Sequence, residues 1–382
     1  MTYPSDPMTP RLPWLREATT LRVGGPVSVW AEAGAEWALV GAVRAADHDR
    51  RPVLVLGAGS NLFASDSPFD GVVVRDGRRG VRAEARTAAD PRGGATVDVT
   101  AVAGTPWDDL VAWTLDRGLS GLEALSGIPG TVGAAPVQNI GAYGRDVAAT
   151  LVSVRTWDRA LEQVAVLSAQ DLGLGYRTSA IKRSILEPGS GPAGGRAWGP
   201  TGRWVVLEAT FALSESGMSA PVRYAELAHR LGVGIGDRAP ASAVREAVLA
   251  LRRSKGMVLD PSDHDTWSAG SFFTNPILPA GVADALLPPH APRFAAGAGL
   301  VKTSAAWLID HAGFGRGFAL PGSGDEAGPR ASLSTKHVLA LTNRGRATSA
   351  DIEALARAVR AGVREAFGVD LAPEPVTVGI DL

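Results

Sequence analysis

The sequence predicts an α+β protein of more than one domain, and three observations carry that prediction. Its 382 residues exceed what one small core organises. Short β-rich runs and helix-periodic runs follow one another without a short-period repeat. No stretch of about 18 apolar residues occurs, so a conventional membrane-spanning helix is excluded.

The elements follow in order. Residues 1–18 are proline-rich without an apolar core, so they read as a flexible lead-in, neither signal peptide nor anchor. Thr19-Thr20-Leu21-Arg22-Val23-Gly24-Gly25 opens the ordered part. A strand ends near Ala33, and a helical run covers about 35–46. The strand Val53-Leu54-Val55-Leu56 enters Gly57-Ala58-Gly59-Ser60-Asn61, and Val72-Val73-Val74 is a further strand. Arg78-Arg79-Gly80 and Asp90-Pro91-Arg92-Gly93-Gly94 mark loops. Thr96-Val97-Asp98-Val99-Thr100 alternates as a half-buried strand does.

A helix then begins with Thr105 as N-cap, Pro106 in its first turn, and Asp108 and Asp109 complementing the positive end of the dipole. Leu110, Val111, Thr114 and Leu115 form its inner stripe, and Gly118 stops it. A hairpin spans 152–166 with its turn near Asp158-Arg159, and another strand covers 204–211. The intervening 188–202 reads as a Pro/Gly-rich loop. From Ser242, the apolar positions Val244, Ala247, Val248 and Leu251 fit a helix ending in Arg252, Arg253 and Lys255. The last helix has Thr348 or Ser349 as cap, a stripe of Ile352, Leu355, Val359, Val363 and Phe367, and Gly368 as its stop. Residues 370–382 form an extended tail that can carry Glu374 back to the first domain.

Composition narrows the function. A net charge of -1 provides no field for a nucleic-acid partner. The absence of cysteine removes thiolate nucleophiles, thiolate metal sites and disulfides together, which fits the cytoplasm. The six histidines make no zinc spacing, so no metal is expected.

Two glycine-rich segments stand out. Gly57-Ala58-Gly59-Ser60-Asn61 follows a buried strand and exposes backbone N–H groups to which a diphosphate can come close. It is not the dinucleotide fingerprint, because Leu62 stands where a third glycine is needed; a plain strand-ending turn is the alternative. Ser126-Gly127-Ile128-Pro129-Gly130-Thr131-Val132-Gly133, with Gln138-Asn139-Ile140-Gly141-Ala142-Tyr143-Gly144, lets backbone lie against a flat or anionic ligand, or simply packs tightly. Composition does not name the cofactor.

Three reactive side chains lie far apart in sequence, in Gly175-Tyr176-Arg177, in Gly270-Ser271-Phe272-Phe273-Thr274-Asn275-Pro276, and in Pro373-Glu374-Pro375. Singly, they read as a surface arginine, a capping serine and a solvated tail glutamate. Together they supply an anion clamp, an acid and an enolate-stabilising group for one unsaturated carboxylate.

These motifs, with Leu56 to Leu62, the 126–144 segment and Trp307-Leu308-Ile309-Asp310, match the UDP-N-acetylenolpyruvoylglucosamine reductase family in order along nearly the whole chain. The resemblance implies an FAD-binding domain of the vanillyl-alcohol-oxidase type in two subdomains, plus a C-terminal α+β substrate-binding domain. The expected boundaries are 19–76 and 77–255 for the two subdomains and 256–369 for the substrate domain, with 370–382 returning to the first. It implies non-covalent FAD held by Gly57, Ala58, Gly59, Ser60, Asn61, Gly127, Ile128, Pro129, Gly130, Gly133, Gly141, Ala142, Tyr143 and Gly144. NADPH is the implied co-substrate, and hydride and a proton add to the enolpyruvyl ether of a nucleotide sugar in peptidoglycan precursor synthesis.

Arg177, Ser271 and Glu374 are the implied catalytic residues, and Tyr176, Tyr224, Arg252, Lys255 and Asn275 the substrate contacts. Tyr224 resembles the loop tyrosine of the larger of two subclasses. Arg252, one turn before Lys255, is expected on a basic rim. Thr274 stands where some relatives carry lysine, and Ala372 where some carry an acid. No nucleic-acid, membrane or obligate protein partner is expected. Another oxidoreductase of the same flavin fold, or a silent nucleotide-sugar-binding module, has no need of all three reactive groups.

Overall fold

The computed structural model describes residues 12–85, 96–187 and 197–382. The expected loop at Asp90-Pro91-Arg92-Gly93-Gly94, most of the lead-in and most of the 188–202 loop lie outside the described residues. The part of the lead-in that is described is not flexible. A 3-10 turn, Leu15–Glu17, buries Leu15 completely, and Leu15 and Arg16 donate backbone hydrogen bonds to Gly25 and Gly24. Scattered apolar residues among prolines, without a period, were too weak a local signal to anticipate this.

The first sheet is parallel, in the order Val27–Ala33, Phe69–Asp76, Val53–Leu56. A parallel sheet is covered on both faces, which explains why Val72, Val73 and Val74 are all buried. Val72 and Val74 face the helix Glu36–His48 through Leu39 and Val43, and the same core takes in Trp157, Val205 and Leu207 from the next sheet. Val73 packs on the other side with Leu15, Leu56, Leu62 and Val378.

The second sheet is antiparallel with five strands, ordered Gln163–Ser168, Leu151–Asp158, Trp204–Ser214, Thr96–Val102, Val81–Ala85. Val97, Val99 and Ala101 alternate inward and pack on the helix Trp107–Leu115. That helix starts one residue later than expected: Pro106 is its N-cap, and the Thr105 hydroxyl is instead 3.3 Å from the Gly80 carbonyl. Proline's fixed φ and missing N–H suit the cap as well as the first turn. Helices Ala225–Leu231 and Ala241–Ser254 form a small core of their own through Leu227, Val244, Val248 and Leu251.

The third core gathers the sheet Ile277–Pro279, Leu300–Lys302, Phe294–Ala295, the hairpin Ala331–Leu333 and Leu341–Asn343, and the helix Ser349–Phe367. Thr348 and Asp351 cap that helix reciprocally, and Gly368 ends it in the left-handed conformation. Ile352, Leu355, Val359 and Val363 are fully or almost fully buried, each contributing about 1.5–3 kcal/mol. Leu21, Val23 and Phe63 from the N-terminal part enter this core.

The tail joins the units. Pro373 bridges Phe273, Glu374 donates its N–H to Phe272 at 2.9 Å, and Val376–Val378 then pairs parallel with Leu62–Ala64. Glu374 is thereby held between the Ser271 segment and the first glycine-rich loop. No described helix is long and apolar enough to cross a membrane.

Candidate active site

One cavity runs between the two glycine-rich segments. It is lined by Gly57, Ala58, Gly59, Ser60 and Asn61 on one side, and by Ile128, Pro129, Gly130, Gly133 and Gly141 on the other. The loops pack so closely that a Cβ at Gly57 would lie 2.8 Å from Thr131 Oγ1, and the second also packs on residue 103, where a Cβ at Gly133 would lie 2.7 Å from Ala103 Cβ. Ser60 Oγ ties them by donating to the Pro129 carbonyl at 2.8 Å. Apolar side chains such as Leu54, Leu56 and Val206 supply walls, and Arg177, Lys182 and Arg252 supply positive charge. That combination suits an elongated ligand with a flat part and an anionic part.

Gly127, Ala142, Tyr143 and Gly144, expected with the cofactor, do not line this cavity. Gly127 braces the loop instead: its N–H donates to Asp108 at 2.6 Å and its carbonyl accepts from Arg252 Nε at 3.1 Å. Ala142 ends the first of two short paired strands, Gly141–Ala142 and Arg145–Asp146, and Gly144 lies in the tight turn between them. The Tyr143 ring meets Tyr224 edge-on at 5.4 Å, and burial pushes its hydroxyl up to about 12.

The three expected reactive groups all line the same cavity. Arg177 has a left-handed backbone, φ +54°, which costs a non-glycine residue on the order of 1–3 kcal/mol. A reciprocal turn between Gly175 and Thr178 holds it there, Asn139 Nδ2 donates to the Gly175 carbonyl, and Arg177 Nη2 donates to Gly141 O at 3.1 Å. Arg177 Nε lies 3.0 Å from Glu374 Oε1 but makes no well-directed hydrogen bond.

Glu374 is 6% exposed. Burial raises its pKa above the ordinary carboxylate range, against the opposing pull of Arg177 and Lys182. Gln138 Nε2 reaches its Oε1 at 3.4 Å. Ser271 is half-buried and immobilised by its neighbours: Phe272 packs edge-on against Phe63 and Phe273, and its N–H donates to Leu339 O at 2.8 Å. Gly270, at φ +76°, turns the chain just before the serine.

Of the remaining expected contacts, Arg252 lines the cavity and the other four fall into two groups outside its lining. Tyr224, exposed, sits with Tyr143, and Lys255 Nζ lies 6.0 Å from both rings while paired with Glu226. Tyr176 accepts from the Asn275 backbone N–H at 3.1 Å, and the Asn275 side-chain oxygen accepts from Ala305 N at 2.9 Å. Arg252 is not on a basic rim. It turns inward, donating to Gly127 O and to Met257 O at 2.8 Å, because its helix packs directly on that loop.

Sequence reading missed Gln138 and Lys182. Asn61 Nδ2 donates to Gln138 Oε1 at 2.8 Å, and Lys182 Nζ donates to the Glu374 carbonyl at 3.1 Å. Lys182 stands five residues beyond Arg177 on the helix Ala180–Leu186, and that proximity was the available signal. Among the described residues, no group of three His, Asp or Glu side chains could hold a metal.

Two family models match. Residues 27–165 match an FAD binding domain, and residues 260–378 match the C-terminal domain of UDP-N-acetylenolpyruvoylglucosamine reductase. A reductase of that name from Nocardia farcinica is 52% identical over 376 residues, covering 96% of this chain and 89% of that protein. Another from Saccharopolyspora erythraea is 51% identical, covering 94% and 93%. The crystal structure of the UDP-N-acetylenolpyruvylglucosamine reductase from Thermus caldophilus shares the fold, with a TM-score of 0.57 and 23% identity over 96% of this chain and 97% of that one. The fold is thus an FAD-binding domain of the vanillyl-alcohol-oxidase type followed by a C-terminal α+β domain.

Proposed function

The chain belongs to the UDP-N-acetylenolpyruvoylglucosamine reductase family, and on that premise we propose how its own residues carry the reaction. The reaction is the NADPH-dependent, FAD-mediated reduction of UDP-N-acetylglucosamine enolpyruvate to UDP-N-acetylmuramate, in peptidoglycan precursor synthesis. When bound, FAD would supply the hydride chemistry of the reaction, passing a hydride that originates from NADPH to the methylene carbon of the enolpyruvyl group. The residues present fit that group: glycine backbone at 57–61 and 130–133, apolar walls, and three cationic side chains.

As the C=C π bond breaks, its electron pair moves toward the adjacent carbon and the carboxylate. Arg177 holds that carboxylate with paired guanidinium donors and gains interaction energy as charge accumulates. Substrate binding brings a second carboxylate to a guanidinium already beside Glu374. Like charges so close favour protonation of one of them, and Glu374, already raised by burial, takes the proton. Protonated Glu374 then donates to the developing enolate oxygen. The Ser271 hydroxyl delivers a proton to the adjacent carbon, forming the second new C–H bond and completing the lactyl ether; the serine is reprotonated afterwards.

The observation that carries this reading is spatial: side chains from positions 177, 271 and 374 line one cavity together with both glycine-rich loops. Tyr224, Lys255, Tyr176 and Asn275 are assigned to the nucleotide-sugar end. Residues 19–76 and 77–255 are assigned as the cofactor subdomains and 256–369 as the substrate domain, although Trp157, Val205 and Leu207 share the core of the first sheet and Leu21, Val23 and Phe63 that of the last unit. The enzyme is assigned to the cytoplasm, as the absence of cysteine is consistent with, without an obligate protein partner.

Glu374→Gln tests the assignment, since volume and polarity barely change. Flavin reduction by NADPH and nucleotide binding to oxidised enzyme are expected to stay near wild type. Reduction of the enolpyruvyl nucleotide should slow by about 10²–10⁴-fold. A wild-type rate for that step removes Glu374 from the catalytic set.

A further inference from the structure

We propose that Lys182 is a positioning residue for this reaction, acting through Glu374: its ammonium clamps the tail segment in the cavity and keeps the Glu374 carboxyl aligned with Arg177. The inference rests on the catalytic reading of Glu374 and extends it. Lys182 Nζ donates to the Glu374 carbonyl oxygen at 3.1 Å and reaches Gln138 Oε1 at 3.4 Å. The same Gln138 approaches the Glu374 carboxyl, and Asn61 Nδ2 bridges Gln138 Oε1 and the Glu374 carbonyl. One cation thus connects the main chain of residue 374 to the side-chain amides that surround its carboxyl.

On either side of this carbonyl the tail is held by backbone hydrogen bonds, Glu374 N to Phe272 O and Val376 N to Asn61 O. The carbonyl between those two anchors has side-chain donors only, and Lys182 is the charged one. A charged donor to a partly buried carbonyl is stronger than a neutral one. Its helix is itself fastened, with Ser179 as N-cap accepting from Lys182 N and donating to Val137 O. Lys182 is therefore held where it can locate Glu374, rather than trailing into solvent.

The groups facing Glu374 come from four segments. Arg177 and Tyr176 come from the 175–178 turn, Lys182 from the helix Ala180–Leu186, Gln138 from the second glycine-rich segment, and Asn61 from the first. Two are cations, Arg177 and Lys182, and both oppose the upward effect of burial on Glu374. Removing either cation raises Glu374 further. The step that needs protonated Glu374 is lost as pH rises through its pKa, so that loss moves to higher pH without Lys182.

Lys182→Met and Lys182→Arg are compared in the FAD-loaded enzyme, alone and in the Glu374→Gln background, by single-turnover reduction of the enolpyruvyl nucleotide across pH. Lys182→Met should keep flavin reduction by NADPH and slow substrate reduction on the order of 10- to 100-fold, the cost of misplacing a reacting group by about an ångström. Its high-pH limb should shift upward, Lys182→Arg should restore the wild-type limb, and Lys182→Met should add little in the Glu374→Gln background. An unshifted limb, or an undiminished effect in that background, makes Lys182 a general prop and overturns the inference. Should Lys182→Met fail to fold, the wild-type protein decides: the ¹⁵Nζ signal of Lys182 must report the titration of ¹³C-labelled Glu374, and independent titrations overturn it. If Glu374→Gln alone reacts at the wild-type rate, the parent reading fails; if Glu374→Gln is slow and Lys182→Met is not, only this inference fails.

Discussion

Replacing Gly59 separates the demands of the fold from those of the ligand. Gly59 has φ +60°, and an added Cβ would lie 2.1 Å from the Ala18 carbonyl oxygen and 2.8 Å from Thr19 Cα. The left-handed backbone alone costs an L-residue about 1–2 kcal/mol. The carbonyl cannot simply rotate away, because Thr20 N, two residues on, donates to Gly59 O at 3.2 Å and ties the strands of chain together. Relieving the overlap requires a backbone shift on the order of 1 Å, so the total for Gly59→Ala is about 3 kcal/mol or more. The assay is equilibrium urea unfolding of flavin-free protein, followed by FAD titration. A lower midpoint in the flavin-free state is expected, with weakened flavin uptake as a consequence. Wild-type stability with impaired FAD binding would refute the reasoning and mean that the glycine serves the ligand alone.

Thr348→Ala removes the hydroxyl that accepts from Asp351 N, and should cost about 1 kcal/mol in thermal or urea unfolding while the reaction proceeds normally. An unchanged midpoint would mean that Asp351, which also receives the Thr348 N–H and pairs with Arg330, holds the helix start unaided. His337 is lowered to about 4, first by burial and then by Lys255 and Arg252. Between pH 6.5 and about 4 the unfolded chain binds the proton and the folded protein does not, so stability falls as pH drops through that window, by on the order of 3 kcal/mol. His337→Gln should flatten that part of the pH–stability curve; an unchanged curve would assign acid sensitivity to other groups.

What was legible in the sequence was mostly local. The helix Ser349–Phe367 announced itself through Thr348, a regular apolar stripe and Gly368, because caps and 3.6-residue periodicity act within a few positions. The strand Thr96–Val102 was visible for the same reason. The three reactive side chains were recognisable through their motifs, yet their pairing was not: the Arg177–Glu374 contact closes a separation of 197 residues, and no local propensity encodes it.

The misreadings have a common physical origin. Thr105 is a good cap chemically, but Gly80 and Pro106 settle that turn otherwise. Arg252 looked like a surface cation until its helix was packed on Gly127, where the same side chain becomes a brace. Tyr143 sits inside a glycine-rich run yet belongs, by contact, with Tyr224. Leu15 and Lys182 drew no notice because what makes them matter lies outside their own segments, at Gly24 and Gly25 beyond the next turn and at Glu374 far along the chain.

Ser271→Ala, followed by stopped-flow absorbance through each half of the reaction separately, tests the central claim most directly. That claim is that one cavity unites an arginine, a serine and a glutamate to add hydride and a proton to the enolpyruvyl group. Removing one hydroxyl leaves the rest of the cavity lining and both glycine-rich loops in place. The account predicts flavin reduction by NADPH at close to the wild-type rate, and reduction of the enolpyruvyl nucleotide slowed by about 10²–10⁴-fold, the usual cost of a missing proton donor. Equal slowing of both halves would contradict it, because Ser271 would then support the flavin site or the fold and not the transfer of the proton.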